Sequence, residues 1–170
     1  MKAVLLAAGH GTRLAPLTDH VPKILVEIAG EPLLARQLRY LAAQGMTDVA
    51  INLHHLAEQV RGFLAAADVP LSVHVFDEPE LLGTAGALGP MRAFLDEPFV
   101  LLYGDVVTDL DLRELYRARR GTATLVYYVS TNIEGKGIID LDAAGRVTGF
   151  VEKPESVSLP APINAGIHVL

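Results

Sequence analysis

The chain has 170 residues, 51% of them apolar and 20% charged, so it can bury a real core and is too apolar to be disordered. A formal charge of −6 excludes general attraction to nucleic acid or an anionic membrane, so an anionic ligand must be held by local cations. The absence of cysteine excludes disulfides, a thiolate nucleophile and cysteine zinc sites, and is compatible with a reducing compartment.

The first apolar run, residues 3–7, is too short for a signal-peptide core and reads as a buried strand over 4–7. Nowhere does a run approach the about 18 apolar residues of a membrane span. A cytoplasmic protein of one domain, residues 1–170, is therefore expected. The strand leads into Gly9-His10-Gly11-Thr12-Arg13-Leu14, with Pro22-Lys23 downstream. Two glycines let the backbone turn and approach a ligand closely, and inward-facing N–H groups can cradle an anion. Arg13 offers a planar fork of donors suited to phosphate, and Lys23 a compact point charge. A triphosphate site fits this combination; an ordinary strand-to-helix turn with an exposed arginine fits the loop alone. It is not a Walker loop, because no Gly-Lys-Ser/Thr string follows. Nor is it a dinucleotide fingerprint, because Leu14 stands where the third glycine belongs.

Further along, apolar runs alternate with helical spacing. Strands are expected over 49–53, 71–76 and 99–103, and helices over 32–44, 56–66 and 85–94. Leu34, Leu38 and Leu41 mark the first helix, with Pro32 in its first turn and Gly45 as its stop. Leu56, Val60, Phe63 and Leu64 mark the second. Such alternation predicts parallel strands covered by helices on both faces, with ligands at the carboxyl ends of the strands. Asp105 ends the run 99–104 at that rim, where a carboxylate can ligate magnesium or cap its own turn. Asp111 is expected to cap a helix reaching about residue 120, followed by a strand over 122–129, in which one of Tyr127 and Tyr128 should face the core. Residues 137–141 and 146–151 flank a turn ending in Gly145 and read as a hairpin; a loop over 156–162 and a strand over 163–170 complete the chain. The six histidines show no metal-ligand spacing, and His54-His55 is expected to start a helix.

The ordered set Gly9-x-Gly11-Thr12-Arg13-Leu14, Pro22-Lys23, Leu82-Gly83-Thr84-Ala85-Gly86-Ala87-Leu88, Gly104-Asp105, Phe150-x-Glu152-Lys153-Pro154 and Asn164-Ala165-Gly166 resembles the sugar-1-phosphate nucleotidylyltransferases, the nucleoside-diphosphate-sugar pyrophosphorylases. The resemblance runs the whole length of the chain. It implies an α/β, Rossmann-like three-layer fold with a mainly parallel sheet and a small β-hairpin sugar-binding portion. It also implies transfer of a nucleotidyl group from a nucleoside triphosphate to a sugar 1-phosphate, with pyrophosphate released and Mg2+ assisting. On that pattern Arg13 and Lys23 are catalytic, and Ala7, Ala8, Gly9, Gly11, Thr12, Gly83 and Thr84 bind the nucleotide. Gly137, Glu152, Lys153 and Asn164 bind the sugar phosphate, and Asp105 holds the metal. His10 falls on a variable loop position. Ile24 follows Lys23 where many relatives carry proline, and the Gly135-Lys136-Gly137 string follows the pattern only loosely. Family members continue past this point and supply a second metal-binding Asp, so the chain reads as a truncated or short form. A homo-oligomer is compatible with the family. Two other readings are a nucleotide- or sugar-binding paralogue with little turnover, and a cytidylyltransferase acting on another phosphorylated alcohol. Neither base nor sugar can be named from spacing.

Overall fold

Four apolar runs become four adjacent parallel strands. The computed structural model describes residues 1–152 and 158–170. In chain order the elements are β1 (Lys2–Leu6), β2 (Glu27–Ile28), β3 (Glu31–Pro32), α1 (Leu33–Ala43), β4 (Asp48–Leu53), α2 (Ala57–Ala66) and β5 (Ser72–Asp77). They continue with α3 (Gly83–Gly86), β6 (Phe99–Tyr103), α4 (Leu112–Ala118), β7 (Thr124–Ser130), β8 (Gly137–Leu141), β9 (Val147–Glu152) and β10 (Ala161–Val169). The main sheet has the order β5-β4-β1-β6-β10-β8-β9, with β7 also paired to β10. From β5 to β6 the pairing is parallel, and from β6 onward it is antiparallel.

Successive side chains of a strand point to opposite faces, and the burial follows that rule. Ala3 and Leu5 of β1, Val49, Ile51 and Leu53 of β4 and Val100 and Leu102 of β6 pack with Leu34, Leu38 and Leu41 of α1, Val60 of α2 and Leu112 of α4. Val4, Ala50, Phe99 and Leu101 face the other way, onto Met91, Leu88 and Phe94. Both faces of the parallel strands are covered, which gives the three layers.

Local chemistry accounts for most boundaries. Gly45, at φ +80°, ends α1. Asp111 caps α4, its Oδ1 accepting from the N–H groups of Arg113 at 2.9 Å and Glu114 at 3.0 Å. The N–H of Glu114 above all, with that of Arg113, holds the Asp111 carboxyl below its ordinary range. In β10 the pairing with β7 shifts between Asn164 and His168. Gly166 sits there at φ +71°, and a Cβ on it would lie 2.9 Å from Tyr103. Asn164 Oδ1 accepts the Gly166 N–H at 3.0 Å, so the Asn-Ala-Gly motif builds this bulge.

Several elements depart from expectation. Instead of a helix over 85–94 there is one turn, α3, followed by successive turns with bonds such as Leu88 N–H to Ala85 and Phe94 N–H to Met91. Gly86, Gly89 and Pro90 are poor helix formers, and Pro90 has no N–H to donate. His54 and His55 precede α2 rather than starting it, and Leu56 takes φ +53° at the junction. The small β2–β3 hairpin, turning through Ala29 and Gly30 at positive φ, was not anticipated. Tyr127 and Tyr128 are both exposed, at 45% and 43%, so neither ring enters the core.

Candidate active site

The carboxyl ends of β1, β4, β5 and β6 open into one cleft of about 320 Å³. Its wall includes Ala7, Ala8 and Gly9 after β1, Lys23 and Ile24, Asn52 and Glu78, Gly83 and Thr84, and Tyr103 to Asp105 after β6. Of the residues expected to act in catalysis or to bind nucleotide or metal, Ala7, Ala8, Gly9, Lys23, Gly83, Thr84 and Asp105 therefore share one cavity. Gly11, Thr12 and Arg13 do not line it.

Two glycines bring the parts together. At φ +68°, Gly11 leaves no room for a side chain, because a Cβ would lie 2.9 Å from Thr18 Cγ2 and 3.0 Å from Lys23 Cβ. The stem of Lys23 thus packs on the glycine loop. Thr18 Oγ1 donates to the Gly11 carbonyl at 2.9 Å and fixes the same contact. Ile24, directly after Lys23, is buried in the main core and anchors the Lys23 turn. Across the cleft Gly104 donates its N–H to the Leu6 carbonyl at 2.8 Å. A Cβ on Gly104 would stand 2.5 Å from that same oxygen. Only glycine lets the ends of β6 and β1 close up, and the closure sets Asp105 beside the loop. Buried Gln37 of α1 donates to the Val106 carbonyl at 3.0 Å and holds the turn beyond.

Lys23 Nζ forms an ion pair with the Asp105 carboxylate, across 82 positions of sequence. The residue expected to meet phosphate and the residue expected to meet metal therefore hold each other. Both side chains are partly exposed to the cleft. A triphosphate or a divalent ion arriving here would exchange that contact for its own.

Arg13 leaves the cleft and lies against the loop before β8, its Nη1 3.7 Å from where a Gly135 Cβ would be. Gly137 is opposite Glu152 in the β8–β9 ladder. A Cβ on Gly137 would come within 3.0 Å of Glu152 Oε2. With Ile163 opposite Ile138, the antiparallel register puts Asn164 next in line with Gly137. Gly137, Glu152 and Asn164 thus gather on the antiparallel side, and the packing of Gly166 on Tyr103 joins them to the cleft's edge. Lys153 lies outside the described residues, as does Pro154.

The cleft also holds residues that sequence reasoning missed. Asn52 and Glu78 are each only 4% exposed. Asn52 Oδ1 accepts the Ala7 N–H at 2.7 Å, while its Nδ2 donates to Glu78 Oε1 at 2.7 Å. Glu78 Oε2 accepts the Leu82 N–H at 3.0 Å. His54 Nδ1 stands 2.7 Å from the Glu78 carbonyl, and a ring nitrogen facing a carbonyl is the protonated one. One signal was available: a polar Asn inside the buried run Ala50-Ile51-Asn52-Leu53.

The site belongs to a Rossmann-like α/β protein with an acid–cation pair in its strand-end cleft. More narrowly, the chain belongs to the nucleotidyl transferase family, whose sequence profile, described as Nucleotidyl transferase, matches residues 2–170. Mannose-1-phosphate guanylyltransferase 1 of Arabidopsis thaliana is 35% identical, over 100% of this chain and 50% of that protein. Among solved structures, HddC from Yersinia pseudotuberculosis aligns with a TM-score of 0.85 at 28% identity, covering 99% of this chain and 76% of that one. Its complex with GMP-PN aligns with a TM-score of 0.82 at 27% identity, with the same coverage. The chain spans about half the length of the curated relatives it matches. Among the described residues, no helix is long and apolar enough to cross a membrane.

Proposed function

We propose that this chain forms the nucleotide-binding and catalytic portion of a sugar-1-phosphate nucleotidylyltransferase that takes GTP and a hexose 1-phosphate such as mannose 1-phosphate. The observation that carries the reading is the meeting of Lys23 with Asp105 in a cleft walled by Ala7–Gly9 and Gly83–Thr84. A phosphate oxygen of the sugar phosphate attacks the α-phosphorus of the triphosphate. The bond from that phosphorus to the bridging oxygen breaks, and pyrophosphate leaves with the electron pair. Both reactants are anions, so the work is positional and electrostatic. Lys23 neutralises charge on the departing pyrophosphate. Arg13, at the junction with the antiparallel strands, meets phosphate oxygens between the two substrates. Gly11 and Thr12, in the loop that carries Arg13 and packs on Lys23, contribute to nucleotide binding. Gly137, Glu152 and Asn164 take the sugar, with Lys153 on its phosphate.

Among the described residues, no group of three or more His, Cys, Asp or Glu side chains could cage a metal. One carboxylate at the cleft is nevertheless the donor set that magnesium uses when substrate phosphates complete its shell. Asp105 would hold it, and the bound ion would draw charge from the phosphate oxygens.

Guanine is supported by the names of the relatives and by Glu78. A carboxylate only accepts hydrogen bonds, and each of its oxygens has a lone pair beyond the bond already made. The Watson–Crick edge of guanine offers two adjacent donors, N1–H and the 2-amino group.

The test is a matrix of triphosphates against sugar 1-phosphates and phosphocholine, with magnesium, reading pyrophosphate. Release confined to GTP with a hexose 1-phosphate is expected. Preference for CTP with phosphocholine would replace this reading with the cytidylyltransferase one. Tight nucleotide binding without pyrophosphate release would make the chain a binding paralogue. Activity undiminished by a chelator would remove Asp105 from metal binding.

A further inference from the structure

Asn52 lies at the carboxyl end of β4, on the rung of the parallel sheet next to the cleft. It stands opposite Leu6 of β1 on one side and Phe76 of β5 on the other. Just beyond those two strands run the two loops that wall the cleft. The Asn52 side chain reaches both, accepting from Ala7 and donating to Glu78, which in turn accepts from Leu82. A primary amide carries an acceptor and donors in one plane, and only one orientation satisfies both neighbours. Rotated by half a turn, it would set its NH2 against the Ala7 N–H and its oxygen against a carboxylate. A leucine there would leave a buried N–H and a buried carboxylate oxygen unpaired. An aspartate would keep the first bond and place a second negative charge on Glu78. His54 adds a further tie from the same segment, to the Glu78 backbone.

We infer that Asn52 is a positioning residue for nucleotide binding. Through one side chain it sets both the Ala7 N–H and the Glu78 carboxylate, so the two walls of the cleft present a single fixed geometry to the base. The inference rests on the reading of this cleft as the nucleotide site, but not on which base it prefers.

Calorimetric titration of the full chain with GTP and with ATP tests it without requiring turnover. Asn52→Leu should weaken GTP binding about tenfold or more, the consequence of buried groups left unpaired. It should also shrink the GTP-to-ATP preference, which a general loss of stability would not do. Since Asn52 acts through Glu78, Asn52→Leu added to Glu78→Gln should change that preference no further. If Asn52→Leu does not fold, Asn52→Ser is read in the same way, because it keeps a polar group in the gap. Unchanged GTP affinity and an unchanged preference in a folded Asn52 variant would overturn the inference. Wild-type chain that binds GTP and ATP equally would overturn only the guanine reading. Asn52 would then stand or fall on the loss of triphosphate affinity alone.

Discussion

The two sides of the site are built differently. On the parallel side the polar residues of the cleft wall are already tied: Asn52 to Ala7, Glu78 to Leu82, Lys23 to Asp105. On the antiparallel side Glu152 is exposed, as are Tyr127, Tyr128 and Phe150, while Asn164 is half-buried and tied to the Gly166 N–H. Hydrogen bonds and charges act more strongly where water is excluded, and weakly where it is not. If the parallel side takes the nucleotide, as proposed, it can therefore discriminate through the preformed, buried Asn52–Glu78 pair. The antiparallel side, proposed to take the sugar, offers a solvated contact at Glu152, so variants there should have milder effects.

That contrast breaks most sharply at Lys23. Lys23→Ala should lower the rate of pyrophosphate release on the order of a hundredfold or more at saturating substrates, as when a preorganised electrostatic group is removed. The variant also leaves Asp105 without its partner, so triphosphate affinity should be measured alongside. An undiminished rate would take Lys23 out of the chemistry. Next comes Glu152→Gln, expected to raise KM for the sugar 1-phosphate about tenfold while leaving kcat and nucleotide affinity alone, as for one lost charge-assisted hydrogen bond. If nucleotide affinity falls as well, the two sides are coupled and the contrast fails.

The sequence shows the parallel side far better than its wiring. Buried strands read as continuous apolar runs, so β1, β4, β5 and β6 were found with bounds within a residue or two. Asp105 was recoverable because it follows such a run, and Lys23 because of a family pattern. Their pairing was not recoverable, because it depends on how Gly104 and Gly11 close the space between segments 82 positions apart. The Asn52–Glu78 tie is a product of strand register, which local spacing does not encode. In 85–94 the apolar spacing outweighed Gly86, Gly89 and Pro90, and the breakers won. For Tyr127 and Tyr128, alternation says that two rings face opposite ways, but not that either face is covered.

The smallest predicted effect lies on β10, the strand that joins the two sides. His168 stacks on Tyr103, a residue of the cleft wall, with ring centroids 5.9 Å apart. Its Nε2 is buried and has no hydrogen-bond partner among the described residues. Burial holds the imidazole below its ordinary value of 6.5, because the charged form would lose its water. The unfolded chain binds a proton near pH 6.5, and the folded chain binds it only at lower pH. In that interval the unfolded state carries more protons, so stability rises with pH. His168 therefore favours the folded state fully above about pH 6.5, and this contribution is lost as pH falls toward the depressed folded-state value. His168→Phe keeps the ring on Tyr103 and removes both the titration and the unpartnered nitrogen. Urea unfolding at pH 7.5 and pH 5.5 should show a smaller acid-side loss in this variant than in the wild type. An equal loss in both would mean that His168 charges as readily in the folded protein as in water, and that β10 is less firmly seated against the nucleotide side than its packing on Tyr103 requires.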